Sequence, residues 1–384
     1  MSSILFSAGD PSGDAHAADL IQALRRRDPS LSFAGLGGPA MRGAGMELLE
    51  DLTAAAAIGP FDAAKHLSVL LRARRKFAQH LSEERPDLVV LVDFGDFHLP
   101  FIAPLAKAAK VRVVYYISPQ IWAWGRWRLA KVRASVDRMV VFFPFEEKFY
   151  QQAGVPVTWV GHPLIDHAQP TIDAESARKR WSLNPVRMTV GLLPGSRESE
   201  IRRILPILLD TAGRIDHAMP GVQFILPVAA GLTPRAFSSL LKKPRLTIRL
   251  SEGPLANALQ LMDAAIVCSG TATLETALCQ VPMAVVYRTS WPTYWAAKLV
   301  IRIPSISLVN VVAGEPIVPE FIQHEARPKQ LAQAIVELLR DANKHRQMTE
   351  ALGEIRKRLG SPGAADRAAE VVMEELRRKS AGVS

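Results

Sequence analysis

A chain of 384 residues, 48% hydrophobic and 22% charged, holds enough apolar material for sizeable cores and fits two domains better than one, which excludes a disordered protein. Two cysteines, Cys268 and Cys279, form neither a disulfide framework nor a metal spacing, the usage of a reducing cytoplasm. A formal net charge of +10 points to anionic partners, whether nucleic acid, anionic lipid or phosphorylated substrates.

The first half alternates strand-like and helix-like stretches. Short runs rich in Val, Ile and Phe predict strands near 3–8, 31–36, 87–93, 111–117, 138–143 and 157–161, with helices near 13–27, 62–84, 98–109 and 145–153. The strand Ile4-Leu5-Phe6 opens into the turn Gly9-Asp10-Pro11-Ser12-Gly13-Asp14. That turn lacks the Gly-x-Gly pair of a dinucleotide site, and its carboxylates would repel a pyrophosphate. Ser12, Asp14 and Asp10 therefore suit the handling of an acceptor better than a donor phosphate. A basic, apolar stretch runs from Lys65 to Phe77. Its Leu70, Leu71 and Arg72 read as a lipid-surface element, although a helix packed on the core gives a similar pattern.

Asp93-Phe94-Gly95-Asp96-Phe97-His98 closes the next strand. A carboxylate at the carboxyl end of a strand, beside aromatics, is well placed for general-base work, and an apolar setting raises its pKa toward the working range. Asp96 is the leading candidate, with Asp93 and Asp10 behind it; one Asp of the pair can equally be a helix cap. No third ligand accompanies Asp93 and Asp96, so no metal site is expected. Further on, Trp122 and Trp124 interleave with Arg126 and Arg128, a pattern that stacks bases, holds sugars or meets lipid.

Residues 166–186 read as a linker with a short helix, and then the architecture begins again. Strands are predicted near 188–193, 222–228, 246–250, 264–268 and 283–287, and helices near 198–215, 254–262, 271–279 and 291–301. The stretch Pro328–Lys379 reads as wholly helical. Gly195, Ser196 and Arg197 follow a buried strand, where the guanidinium can clamp a diphosphate; the sequence is not a Walker A loop. Ser269-Gly270-Thr271-Ala272-Thr273 follows another strand at a helix start, which favours phosphate, and Glu275 one turn on can accept from ribose hydroxyls. A plain N-cap explains either loop as well. Trp291–Arg302 is aromatic and basic, a second candidate lipid contact. Strands alternating with helices predict an α/β fold with two Rossmann-like parallel-sheet halves facing a cleft. The expected division is 1–165, 166–345 and a helical tail 346–384, the tail packing on the first half or on a partner's, so that a homodimer stays open.

Taken together, Gly13-Asp14, Gly37-Gly38-Pro39-x-Met41, Asp93-x-x-Asp96-Phe97, Tyr116-x-Ser118-Pro119-x-x-Trp122-Ala123-Trp124, Pro144-Phe145-Glu146, Gly161-His162-Pro163, Pro194-Gly195-Ser196-Arg197 with Glu200, Ser269–Glu275 and Asn310-x-x-Ala313-Gly314 with Val318-x-Glu320 resemble the lipid-A-disaccharide synthase family over about residues 3–340. The resemblance implies a GT-B fold and an inverting transfer of 2,3-diacylglucosamine from UDP-2,3-diacylglucosamine to 2,3-diacylglucosamine 1-phosphate. It implies a UDP site in the second half that includes Asn310 and Glu320, an acceptor site in the first, and no cofactor. It also implies a cytoplasmic protein held peripherally on the inner face of the cytoplasmic membrane, with no nucleic-acid partner. Asp10 and His98 depart from the family's usual Glu and Asn. A sugar-nucleotide epimerase or another UDP-sugar transferase on the same fold would keep the donor motifs, and a lipid- or nucleotide-binding module would bind UDP without turnover.

Overall fold

A computed structural model of the protein describes residues 2–53, 63–229, 246–300 and 305–381, together with Phe237. The chain divides into two compact units, Met1–Pro163 with Ser361–Ser384, and Leu164–Gly360. The first holds strands β1 (Ser3–Ala8), β2 (Ser32–Gly37), β3 (Glu47–Asp51), β4 (Leu88–Val92), β5 (Arg112–Tyr116), β6 (Arg138–Val141) and β7 (Val157–Trp159), in the order β3-β2-β1-β4-β5-β6-β7. The second holds β8 (Thr189–Leu193), β9 (Gln223–Pro227), β10 (Ile248–Ser251), β11 (Ala264–Cys268), β12 (Met283–Tyr287) and β13 (Glu320–Ile322), in the order β10-β9-β8-β11-β12-β13. Neighbouring strands pair in parallel throughout.

The middle strands are uninterrupted apolar runs because helices cover both faces. Every residue of β4 and of β11 is buried. In each sheet the strand order reverses once, between β1 and β4 and between β8 and β11. At such a point the chain leaves adjacent strand ends in opposite directions and opens a crevice at their carboxyl ends. Register fixes what lines it. Ala8 lies opposite Val92, so Gly9-Asp10 and Asp93-Phe94 emerge side by side. Val267 lies opposite Leu193, so Pro194-Gly195 and Cys268-Ser269 do the same.

The predicted strands all occur within two residues of their expected ends, but β3 and β13 were not anticipated. β3 is Glu-Leu-Leu-Glu-Asp at one sheet edge and β13 has three residues at another, so neither carries an apolar run. The continuous helix expected from Pro328 to Lys379 is three helices, Pro328–Arg340, Ala342–Arg358 and Ala364–Ala381. Asp341 ends the first and caps the second, accepting from the Asn343 and Lys344 amides. Gly360 and Gly363, both at positive φ around Pro362, end the second. The helix Ala364–Ala381 belongs to the first unit, where Ala368, Ala369 and Val372 share a core with Ala17, Leu20 and Leu24 of the helix Pro11–Arg27. Its Glu375 is fully buried and accepts from Arg112 Nε at 3.0 Å and Arg138 Nε at 3.2 Å. The predicted helices near 62–84 and 291–301 occur as Ala63–Glu83 and Trp291–Val300; Asp62, Ile301 and Arg302 lie outside the described residues.

Candidate active site

At the first strand reversal the Asp10 side chain caps the helix Pro11–Arg27, accepting from the Gly13 amide at 2.7 Å. Asp14 is buried, and its oxygens accept from the amides of Gly38, Ala40 and Met41 at 2.8, 2.9 and 3.1 Å. That carboxylate is committed to holding the start of the helix Pro39–Gly43. Ser12 beside them is exposed. The Phe94 ring lies against Gly9, where a Cβ would overlap it.

Asp93 and Phe94 have φ of 47° and 46°. Two successive left-handed residues other than glycine cost on the order of 1–3 kcal/mol each, and they persist where the surroundings over-determine them. Here the Asp93 carbonyl oxygen accepts from Tyr115 Oη at 2.5 Å and from His98 Nδ1 at 2.7 Å. Burial, the adjacent Asp10 carboxylate and then Asp96 push the Asp93 carboxyl up to about 6, against a hydrogen bond from the Phe94 amide. Asp96 is different. Its side chain is 70% exposed and pairs with Arg128 Nη2 at 2.6 Å.

The aromatic segment begins with the helix Ile121–Trp124, and the side chain of Trp124 lies outside the described residues. Trp122 is anchored inward. Its Nε1 donates to Glu146 Oε1 at 3.1 Å and its ring meets Phe145 edge to face. Glu146 also accepts from the Phe143 amide at 3.2 Å. Burial raises this carboxyl to about 8, so it is protonated at neutral pH. Glu146 was not singled out from the sequence beyond its place in a motif, and His98 was read only as a departure from the family's usual Asn. For Glu146 the available signal was Pro at the first helical position with Glu two residues on, a helix-capping pattern.

At the second strand reversal Gly195 adopts φ of 110°, and its turn is closed by Glu200. Glu200 Oε2 accepts from the amides of Ser196 and Arg197 at 3.1 and 3.2 Å, and Oε1 pairs with Arg197 Nη1 at 3.1 Å. The Arg197 side chain is 79% exposed. Gly270 has φ of 152° and open space where a side chain would stand, so the start of the helix Thr271–Leu278 is accessible. Thr271 is exposed and Ala272 half-buried, whereas Thr273 is buried with its hydroxyl donating to Gly270 O at 2.8 Å. Burial raises the pKa of Glu275, with His167 opposing. Asn310 and Glu320 are brought together in a scaffold. Asn310 Nδ2 donates to Glu320 Oε1 at 2.8 Å, and the same oxygen accepts from Ser307 Oγ at 2.6 Å. Glu320 Oε2 accepts from the Ile306 amide at 3.0 Å, and Ser269 Oγ donates to Ile306 O at 3.0 Å. The pair thereby fixes the loop beside Ser269.

The helix Ala63–Glu83 divides its apolar residues. Phe77, which ends the predicted lipid-surface stretch, is fully buried in the core, and Leu70, expected at the lipid, packs against that core. Leu67 and Leu71 stay 57% and 55% exposed, and Phe101 and Trp127 elsewhere in this unit are exposed too. Arg72 and Lys76 pair with Glu50. In the second unit Trp291 and Trp295 are exposed, with Lys298 over the Trp295 ring at 5.5 Å. No helix among the described residues is long and apolar enough to cross a membrane.

Two parallel sheets, of seven and six strands and each reversing its strand order once, define the GT-B fold. The calicheamicin glycosyltransferase superposes with a TM-score of 0.62 at 16% identity, covering 98% of this chain and 99% of that one. The S. aureus MnaA–UDP co-structure gives 0.67 at 13% identity, covering 98% and 97%. A lipid-A-disaccharide synthase from Geobacter metallireducens is 41% identical over 376 residues, 98% of each chain. The family described as lipid-A-disaccharide synthetase matches residues 4–374. The chain belongs to the lipid-A-disaccharide synthase family. Its reaction moves 2,3-diacylglucosamine from UDP to the 6-hydroxyl of 2,3-diacylglucosamine 1-phosphate, with inversion.

Proposed function

We infer that Asp93 is the base of this transfer, in preference to Asp96. The observation that carries the assignment is the pair of environments. Asp93 is largely buried beside two carboxylates and titrates near 6, close to the working range of a base, whereas Asp96 is exposed and held by Arg128. Asp93 takes the proton from the acceptor's 6-hydroxyl as that oxygen bonds to the anomeric carbon of the donor. The bond from that carbon to the diphosphate oxygen breaks on the opposite face, and its electron pair leaves with UDP. One base and no nucleophile give inversion. Arg197 and the helix start at Gly270–Ala272 neutralise the departing diphosphate, and Glu275 accepts from the ribose. Asp10 and Asp14 shape the acceptor side as caps, and Trp122, fixed by Glu146, borders it.

The exposed Leu67, Leu71, Phe101 and Trp127, together with Trp291 and Trp295, support a peripheral contact with the membrane carrying the acylated substrates. Incubating the pure protein with both substrates and following disaccharide 1-phosphate and UDP tests the reaction. Release of UDP without disaccharide would reject it.

A further inference from the structure

We propose that His98 is a positioning residue for the transfer: its imidazole ties Ser7 on β1 to the main-chain carbonyl of Asp93 and so aims the Asp93 carboxylate. The inference rests on Asp93 being the base and adds how that base is held. Ser7 and His98 are both fully buried, with Ser7 Oγ 2.8 Å from His98 Nε2 and His98 Nδ1 2.7 Å from Asp93 O. A carbonyl oxygen only accepts, so Nδ1 carries the hydrogen and Nε2 accepts from the Ser7 hydroxyl. One tautomer satisfies the whole chain. Burial lowers the imidazole to about 4, so it stays in that neutral form at working pH.

The geometry explains why such a clamp is needed. β1 and β4 pair at the point where the strand order reverses, and Asp93 is the first residue past the end of β4. Asp93 and Phe94 both turn left-handed there, which swings the Asp93 side chain out of the strand's alternation. Tyr115 Oη donates to the same carbonyl from β5. Two donors from different elements thus fix one oxygen and, through it, the direction of the side chain. The charged and titratable groups facing Asp93 are Asp10, Asp96 and Tyr115, with Arg128 on Asp96. A small rotation of Asp93 changes its distance to both neighbouring carboxylates, so the clamp sets its proton affinity as well as its aim.

Three substitutions separate the two contacts. His98→Asn keeps a donor where Nδ1 stands and gives up the reach to Ser7. His98→Gln reaches toward Ser7 but loses the donor to Asp93 O. His98→Phe loses both. For His98→Gln and His98→Phe, kcat should fall roughly 10- to 100-fold, the scale of a misplaced reacting group, and the acid limb of kcat/KM should move from about 6. His98→Asn should keep kcat within a few-fold and keep the acid limb. UDP binding by calorimetry, which reads the second unit, should match wild type in all three, and melting curves count folded protein. Asp93→Asn is measured alongside. If it is inactive while His98→Gln and His98→Phe keep both kcat and the acid limb, the positioning role is overturned and the base stands. If Asp93→Asn turns over like wild type, the base assignment falls and this inference with it. If all three His98 variants lose kcat equally with an unmoved acid limb, His98 serves packing alone and the inference is rejected.

Discussion

Arg128 donates to Asp96 across 2.6 Å, while Asp93, three residues earlier, faces the carboxylates of Asp10 and Asp96. Two acids in one turn therefore sit in different surroundings, Asp93 largely buried beside carboxylates and Asp96 exposed against a guanidinium. Asp93→Asn should lower kcat by ~10²–10⁴-fold, as loss of a general base does, and Asp96→Asn should cost much less. A base works deprotonated, so wild-type kcat/KM should be full above about 6 and fall as the pH drops through that value. Stability should move the other way. The folded carboxyl titrates near 6 against an ordinary 3.8, so the fold holds a proton that the unfolded chain has released between those values. Burying the charge therefore costs stability at pH 7, and Asp93→Asn should raise Tm there. Steady-state rates across pH 4.5–9 and melting curves of both mutants check this.

Glu146 gives a prediction about stability alone. Its folded carboxyl titrates near 8 against an ordinary 4.5. Across that window the folded protein keeps the proton and the unfolded chain does not, so stability should fall as pH rises, by about 1.4 kcal/mol per pH unit at most. Glu146→Gln keeps the acceptor for Trp122 and removes the titration. Denaturant melts from pH 5 to 9 should lose this slope in the mutant, and an unchanged slope would show that Glu146 is ionised in the fold.

Arg197→Ala and Glu275→Ala should each weaken UDP binding about tenfold or more, since a hydrogen bond to a charged group is worth roughly 1.5–3 kcal/mol. Wild-type affinity in both mutants by calorimetry would remove the nucleotide from the second unit. A chelator should leave turnover unchanged.

The helix Ala63–Glu83 separates lipid contact from core by residue. Leu67→Ser with Leu71→Ser alters exposed positions, so Tm should hold while binding to anionic vesicles and activity on long-chain substrates fall. Phe77→Ala opens the core and should cost about 3–5 kcal/mol. Vesicle co-sedimentation and melting curves on the same proteins read the two effects independently.

The buried strands were legible because a run such as Leu88–Val92 has few other uses in a chain of this composition. β3 and β13 were not, since edge strands keep their charges and their pairing partners lie far away in sequence. Asp93 and Asp96 were both visible as candidates, but spacing does not say which one a distant Arg128 will pair with. His98 read as a departure at one position; only folding brings Ser7, 91 residues away, to its other nitrogen. Phe77 and Leu71 look alike in an amphipathic stretch, and only the packing of the helix on the sheet tells them apart.

The helix Ala364–Ala381 completes the first unit although the whole of Leu164–Gly360 precedes it in the chain. On a ribosome moving at ~5–20 residues per second, the amino-terminal sheet must wait on the order of tens of seconds for its final layer. During that wait the groove that receives Ala368, Ala369 and Val372 stays uncovered, and the buried partner of Arg112 and Arg138 has not been made. The domain begun first is finished last. A nascent chain of this protein therefore leaves that groove bare until the helix Ala364–Ala381 emerges, and a fragment ending at Pro163 lacks part of its own core.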